Sequence, residues 1–235
     1  MSSRVLTCLL AATALLSVGC GDGSTGLSND EAVVRVVNAS PAVGELDVLV
    51  GGNVQTNASD IPFLNASREC VRVDADNPQL TFQQTGGTVT IPATNFAFDA
   101  GGRNTVVVAG TSGTNLRVIT LSDPFTPDLA PDEARVRVVN ARATQTMNIQ
   151  VFRWDQPLPP TQSINTSTNP ATGWIVVDAG QTYSIRPTWT VSGSTVESII
   201  NFIPLPGQEV VFVAVDPVAN NELRWVSLFQ ACPRP

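Results

Sequence analysis

The chain reads as an all-β protein: two tandem immunoglobulin-like β-sandwich modules behind an N-terminal export signal. Three observations lead there. The hexapeptide VRVVNA stands at Val34–Ala39 and again at Val136–Ala141, so one segment is written twice, 102 positions apart between Arg35 and Arg137. The composition, with 17 Gly and 17 Pro and abundant Val and Thr, favours short strands and turns over helices. Past the N-terminus no stretch sustains an apolar period of 3.6 residues, whereas short alternating runs recur.

The repeat extends well beyond the hexapeptide. EAVVRVVNAS (31–40) pairs with EARVRVVNAR (133–142), LDVLV (46–50) with MNIQV (147–151), and CVRVDA (70–75) with WIVVDA (174–179). TVVVAG (105–110) pairs with VVFVAV (210–215), and LRVITL (116–121) with LRWVSL (223–228). The order is kept and the offset drifts slowly, as loop insertions would cause. Modules therefore span 31–122 and 133–235, joined by a Pro-rich linker at 123–132 whose prolines make it a semi-rigid spacer.

Within the first module the alternation predicts seven strands, near 32–39, 46–50, 70–75, 79–85, 87–98, 104–110 and 115–122. Seven short strands in about 100 residues suit a sandwich of two sheets, which supplies the core a module of this size needs. Period-two geometry points Val34, Val36 and Asn38 to one face, with Arg35 and Val37 on the other. By the same rule Val136 and Val138 face inward in the second copy. Arg135 and Arg137 face outward, their heads in water and their stems along the strand. Two separate cores are expected.

The N-terminus carries one positive charge at Arg4, an apolar run from Val5 to Leu16 and then small residues, a secretory pattern. The run is too short for the ~20 residues that span a bilayer. Ser17-Val18-Gly19-Cys20 resembles the bacterial lipoprotein signal. That resemblance implies a signal peptide at 1–19, acylation of Cys20, and a flexible tether over 20–30 that holds the fold roughly 17 Å from its anchor. Gly21 rather than Asp after the cysteine resembles the outer-membrane class. The expected location is the bacterial cell envelope, lipid-anchored, with plain secretion as the alternative.

VRVVNASP, then ELDVLVGG, then FDAGGRNTVVVAG, resembles a bacterial cell-envelope family known as domain of unknown function 4397. The resemblance covers most of the chain beyond the tether and is clearer in the first copy. It implies immunoglobulin-like sandwiches, often in tandem, in secreted or lipid-anchored proteins, and it brings no established activity. Where the family commonly has His, this chain has Asn38 and Asn140.

Several functional classes lose their usual residues. There is no His, and all 13 basic residues are Arg. His-based triads, Schiff-base lysines, Ser-Lys dyads, the P-loop lysine and imidazole metal sites are thereby excluded. Loss of Arg4 with the signal leaves 12 Arg against 20 acids, so nucleic acid is not an expected partner.

Candidate sites are few. Cys70 and Cys232 remain after Cys8 and Cys20 are accounted for, in a compartment that permits a disulfide; they either pair across the modules or stay apart as separate thiols. Trp154, Trp174, Trp189 and Trp225 all lie in the second module. Trp154, Trp174 and Trp225 could form an exposed platform for a sugar or peptide, or could be packing residues; Trp189 shares its alternation with Tyr183 and Ile185 and is a core candidate. Asp74, Asp76 and Asn77, or Asp128, Asp132 and Glu133, could offer oxygens to calcium, but the first group reads more simply as a turn and the second as solvated acids.

No catalytic residue, cofactor or metal ligand is expected; carboxylates, one tyrosine and two cysteines are what remains for catalysis, and a carboxylate-pair hydrolase stays formally open. The expected role is a structural or interaction module that meets the membrane through its lipid and an envelope or extracellular protein or glycan through its surface. The alternative is a carbohydrate-binding protein using the tryptophans of the second module. Mass spectrometry of the mature N-terminus should find Cys20 as an acylated first residue; an unmodified cysteine there would end the lipoprotein reading.

Overall fold

A computed structural model describes residues 30–91, 96–123, 129–142, 146–157, 159, 162–164, 168–191, 194–216, 223–228 and 232. Residues 1–29, with Cys20 and the expected signal, lie outside the described residues.

The first half contains β1 (Glu31–Ala39), β2 (Glu45–Val50), β3 (Asn53–Val54), β4 (Ile61–Pro62), β5 (Asn65–Ala66), β6 (Val71–Asp74), β7 (Leu80–Gln84), β8 (Thr90–Ile91), β9 (Arg103–Ala109) and β10 (Arg117–Asp123). The second contains β11 (Glu133–Asn140), β12 (Met147–Phe152), β13 (Gln162–Ile164), β14 (Ile175–Asp178), β15 (Tyr183–Val191), β16 (Ser194–Glu197), β17 (Ile200–Phe202), β18 (Glu209–Val215) and β19 (Arg224–Leu228). The expected strand at 87–98 contracts to β8, with Phe96 and Phe98 buried beyond it outside any strand. One short 3₁₀ turn at Thr56–Ala58 is the only helical element among the described residues.

The strands form four sheets, two in each half. Sheet I runs β10-β9-β1-β5, with β6 also on β1, and sheet II runs β3-β2-β7-β8, with β4 on β2. Sheet III runs β14-β11-β18-β19, and sheet IV runs β13-β12-β15-β16, with β17 on β15. In each half the repeat strand pairs in parallel with a distant strand, β1 with β9 and β11 with β18.

The duplication holds at the level of single hydrogen bonds. The Ser67 hydroxyl accepts from the Val36 N–H at 3.2 Å, and the Thr172 hydroxyl accepts from the Val138 N–H at 3.0 Å. Asn38 Oδ1 accepts from the Ser40 N–H, and Asn140 Oδ1 accepts from the Arg142 N–H. At the return into the parallel strand, Gly101 and Gly207 donate to the carbonyls of Glu31 and Glu133, each at 2.7 Å. Their φ values of 70° and 69° lie in the left-handed region where a side chain is strained, which accounts for glycine in both copies.

Each half is a β-sandwich with its own core. Val34, Val36, Val106 and Val108 of sheet I meet Leu46, Val48, Leu80 and Phe82 of sheet II. Val136, Val138, Val210 and Phe212 of sheet III meet Met147, Ile149, Val151 and Ile185 of sheet IV. Val34, Val36, Val136 and Val138 thus face inward as the alternation predicts.

Beyond the two expected cores the structure holds a third. The opposite faces of sheets I and III pack against each other. Val37, Val107, Ile119 and Leu121 from the first half join Val139, Val213, Val226 and Leu228 from the second in one buried cluster. The layers therefore run II-I-III-IV. Strands β1, β9, β11 and β18 are buried on both faces, so their valines occupy both parities, as in RNTVVVA and EVVFVAV. Each such side chain removed from water contributes about 1.5–3 kcal/mol relative to leaving it exposed. A surface of this kind left open would be an aggregation hazard.

The seam is also closed covalently. Cys70, just before β6, and Cys232 form a disulfide with a Cα–Cα distance of 5.8 Å, across 162 residues of chain. In the chain-entropy picture a loop of that length is worth about 5 kcal/mol, and native bonds commonly deliver about 2–5. Cys70→Ser should therefore lower the unfolding free energy by about 2–5 kcal/mol, read as a lower urea midpoint. An unchanged midpoint would show that the apolar seam alone holds the halves together.

Candidate functional site

Three groups of side chains stand out: the arginines of the seam, the tryptophans of the second half, and the open edges of the sheets. Arg103 begins β9 and Glu209 begins β18, and the seam brings them together. Arg103 reaches Glu209 Oε2 at 2.8 Å and Oε1 at 3.0 Å, and Arg135 donates to the same Oε1. Both arginines are buried, at 5% and 3% exposure. Arg103 also donates to the carbonyl of Cys232, so the ion cluster and the disulfide support one another.

This corrects the expectation that Arg135 keeps its head in water, whereas Arg137 is half-buried. The guanidinium of Arg135 lies 4.3 Å from the Trp174 ring centre and that of Arg137 lies 4.9 Å from it. Arg137 donates to the Ser122 carbonyl across the seam. A planar guanidinium suits this role, because it stacks on a ring while its edge still donates in plane. Just past β11, Arg142 pairs with Asp216 at 3.2 Å and stands 5.0 Å from the ring centre of Trp189 in sheet IV. Arg117 donates to the Arg142 carbonyl. Burial lowers the pKa of Arg117, and the nearby Asp216 carboxylate offsets part of that.

The tryptophans do not assemble into a platform. Trp174 packs on the seam, while Trp225 packs edge-on against Phe212 of the second core, on the opposite face of sheet III. Val226 and Leu228 enter the seam rather than the second sandwich, so the expected outward direction of Trp225 is reversed. Trp189 is buried, as its alternation predicts.

Trp154 alone is well exposed, at 64%. It sits just past β12, edge-on to Phe152 with ring centres 5.0 Å apart, and Arg186 lies over both rings. Its neighbour Arg153 is held by Asp155 and Asp178. The hydrogen bond from Arg153 keeps the Asp155 carboxyl below its ordinary range, although the pair is solvent-exposed and salt will weaken it.

The acids fall into structural roles. Asp74 Oδ1 accepts from the N–H groups of Asp76 and Asn77, at 2.9 and 2.8 Å, which closes the turn read from the sequence. Glu133 accepts from the Ala130 N–H at the end of the linker, and the Asp132 carbonyl accepts from Ala179. Asp128 lies outside the described residues. The buried Asp47 accepts from the Asp60 N–H and the Thr85 hydroxyl. Among the described residues no group of three or more His, Cys, Asp and Glu is placed to hold a metal ion. Asn38, where the resembled family commonly has His, donates to the carbonyls of Gly44 and Ile61 and so ties β1 to the β4 region.

Among the described residues, two open clefts run along sheet edges. One of about 290 Å³ borders β14 from Ile175 to Asp178 and is faced by Phe152, Pro157 and Tyr183. The other, of about 380 Å³, lies between Leu64–Arg68 around β5 and Trp225–Leu228 of β19, with Arg35 at its side. Sequence reasoning missed this second cleft, because it exists only where the two halves meet. Its one legible signal was the near-unbroken valine run of the central strands.

The fold and these edges define an all-β tandem sandwich whose halves are fused through a buried face. The chain belongs to the family described as Domain of unknown function (DUF4397), whose model matches residues 32–152. The match covers the first sandwich and continues through β11 and β12 of the second. No curated protein matches the chain. It is similar to a solved structure from Bacteroides fragilis described as a "putative cell adhesion protein", at 10% identity and a TM-score of 0.30, over 96% of this chain and 94% of that one. A second such protein, from Bacteroides eggerthii, is 7% identical with a TM-score of 0.26, over 88% and 98%. Among the described residues no helix is long and apolar enough to cross a membrane.

Removing Glu209 should leave two buried arginines without their shared carboxylate. Glu209→Ala is expected to cost about 3–5 kcal/mol of stability by urea denaturation. A loss below about 1 kcal/mol, the range of exposed pairs, would mean the cluster is effectively solvated.

Proposed function

We propose that the protein is a lipid-anchored cell-envelope component that serves as a structural or interaction module, holding a rigid β-body near the membrane and meeting a partner through its surface. The observation that carries the reading is the stacking of two sandwiches through one apolar seam, stapled by a disulfide and a buried ion cluster, with strand edges left open along its sides. Such a body has few soft joints, and binding through preformed edges costs little ordering entropy. The disulfide suits an oxidising compartment, and the signal resemblance around Cys20 suits delivery there.

The buried polar groups of the seam serve packing, which leaves edges and loops as the surface for recognition. The glycan alternative lacks the coplanar tryptophans it needs, since Trp174 and Trp225 lie on opposite faces of sheet III.

Two measurements test the reading. Cys20→Ala should move the chain from the membrane fraction to the soluble fraction of the envelope. Cross-linking of the wild-type chain in intact cells should give a saturable adduct with an envelope component that a heat-denatured control does not give. A chain that stays membrane-bound without Cys20 would overturn the anchor, and absence of any saturable adduct would overturn the interaction role.

A further inference from the structure

We infer that the groove between β5 and β19 is a docking site for an extended acidic peptide segment that adds as a further strand to the free edge of β19. The inference rests on the interaction-module reading and names its site and the chemistry of its partner. Among the described strands β19 pairs only with β18 and β5 only with β1, so each presents an open edge to the groove. Apart from Arg35, the described lining falls into two consecutive runs, Leu64–Arg68 and Trp225–Leu228, so the groove follows the strands instead of crossing them. Four extended residues span about 13 Å, the reach of a short added strand. A strand seated there pairs its backbone with β19 and sends alternate side chains to either side.

The charge of the groove selects the partner. The chain carries a net charge of −7, yet among the described residues that line the groove the charged ones are Arg35 and Arg68. Arg35 is half-buried and its guanidinium is oriented by the Ser67 carbonyl at 3.3 Å. A carboxylate reaching a partly desolvated, oriented guanidinium gains more than one at a fully hydrated charge. The floor adds a second argument, since Val226 and Leu228 belong to the seam and Leu64 and Ala66 pack against it. An added strand therefore extends an interface that is already buried. An acidic glycan shares the charge but cannot use the open backbone edge, so the peptide is favoured.

The test is fluorescence anisotropy of a labelled, capped heptapeptide of alternating glutamate and valine, titrated with the chain beginning at Gly21. Binding is expected, and it should weaken as salt is raised. The lysine counterpart should not bind. A version with proline at alternate positions should bind poorly, because it lacks the N–H groups that strand pairing requires. Arg35→Gln with Arg68→Gln should weaken binding by about tenfold or more. Arg68→Glu, at an exposed position, supplies the same loss should Arg35→Gln lower stability.

Four results would each overturn the inference. These are no binding of the acidic peptide, equal binding by the arginine variants, tighter binding of an oligogalacturonate at the same site, or self-association through β19 seen in sedimentation. Absence of peptide binding overturns the groove even where the envelope adducts of the preceding test persist; absence of those adducts overturns the interaction role itself.

Discussion

The apolar seam between sheets I and III is the constraint on which the rest depends. It turns two sandwiches into a four-layer stack, and it makes β1, β9, β11 and β18 central strands rather than walls facing water. Once both faces of a strand are buried, its polar residues must find partners inside the protein or at the rim. The arginines of β9 and β11 do so through Glu209 and Trp174, and the disulfide closes the same boundary. Stability, rigidity and the location of the open grooves all follow from that one packing choice.

Much of the architecture was legible in the residues. The doubled hexapeptide and the ordered blocks behind it predicted two modules, and the alternation placed Val34, Val36, Val136 and Val138 correctly. The Asp74 turn and the burial of Trp189 were legible for the same local reasons. What period-two reasoning missed was the destination of the other parity. It treats one face as core and the other as solvent, which holds for Thr81 and Gln83 of β7 but not for Val37 or Val139. The warning was present in TVVVA and VVFVAV, where valine follows valine with no polar partner between.

The candidate site was less legible, and for a related reason. Strand alternation offered Trp174 and Trp225 as outward-facing residues of one platform, yet sheet III separates them. The second groove is a product of how two distant edges meet, and residues 64–68 and 225–228 carry no shared motif. Tertiary juxtaposition of this kind leaves no periodic trace along a chain.

The seam also joins corresponding positions of the two copies. By strand register Val33 faces Arg103 and its counterpart Arg135 faces Glu209, so Arg103 and Glu209 are the same site in successive repeats, which corrects the pairing of TVVVAG (105–110) with VVFVAV (210–215) by one position. In a symmetric pair of identical subunits, a site that meets its own counterpart brings together two like charges. Tandem fusion lifts that restriction, since each copy can mutate without the other. A cation and an anion can then occupy one ancestral position and attract, a solution open to a covalently doubled chain and closed to two separate identical ones.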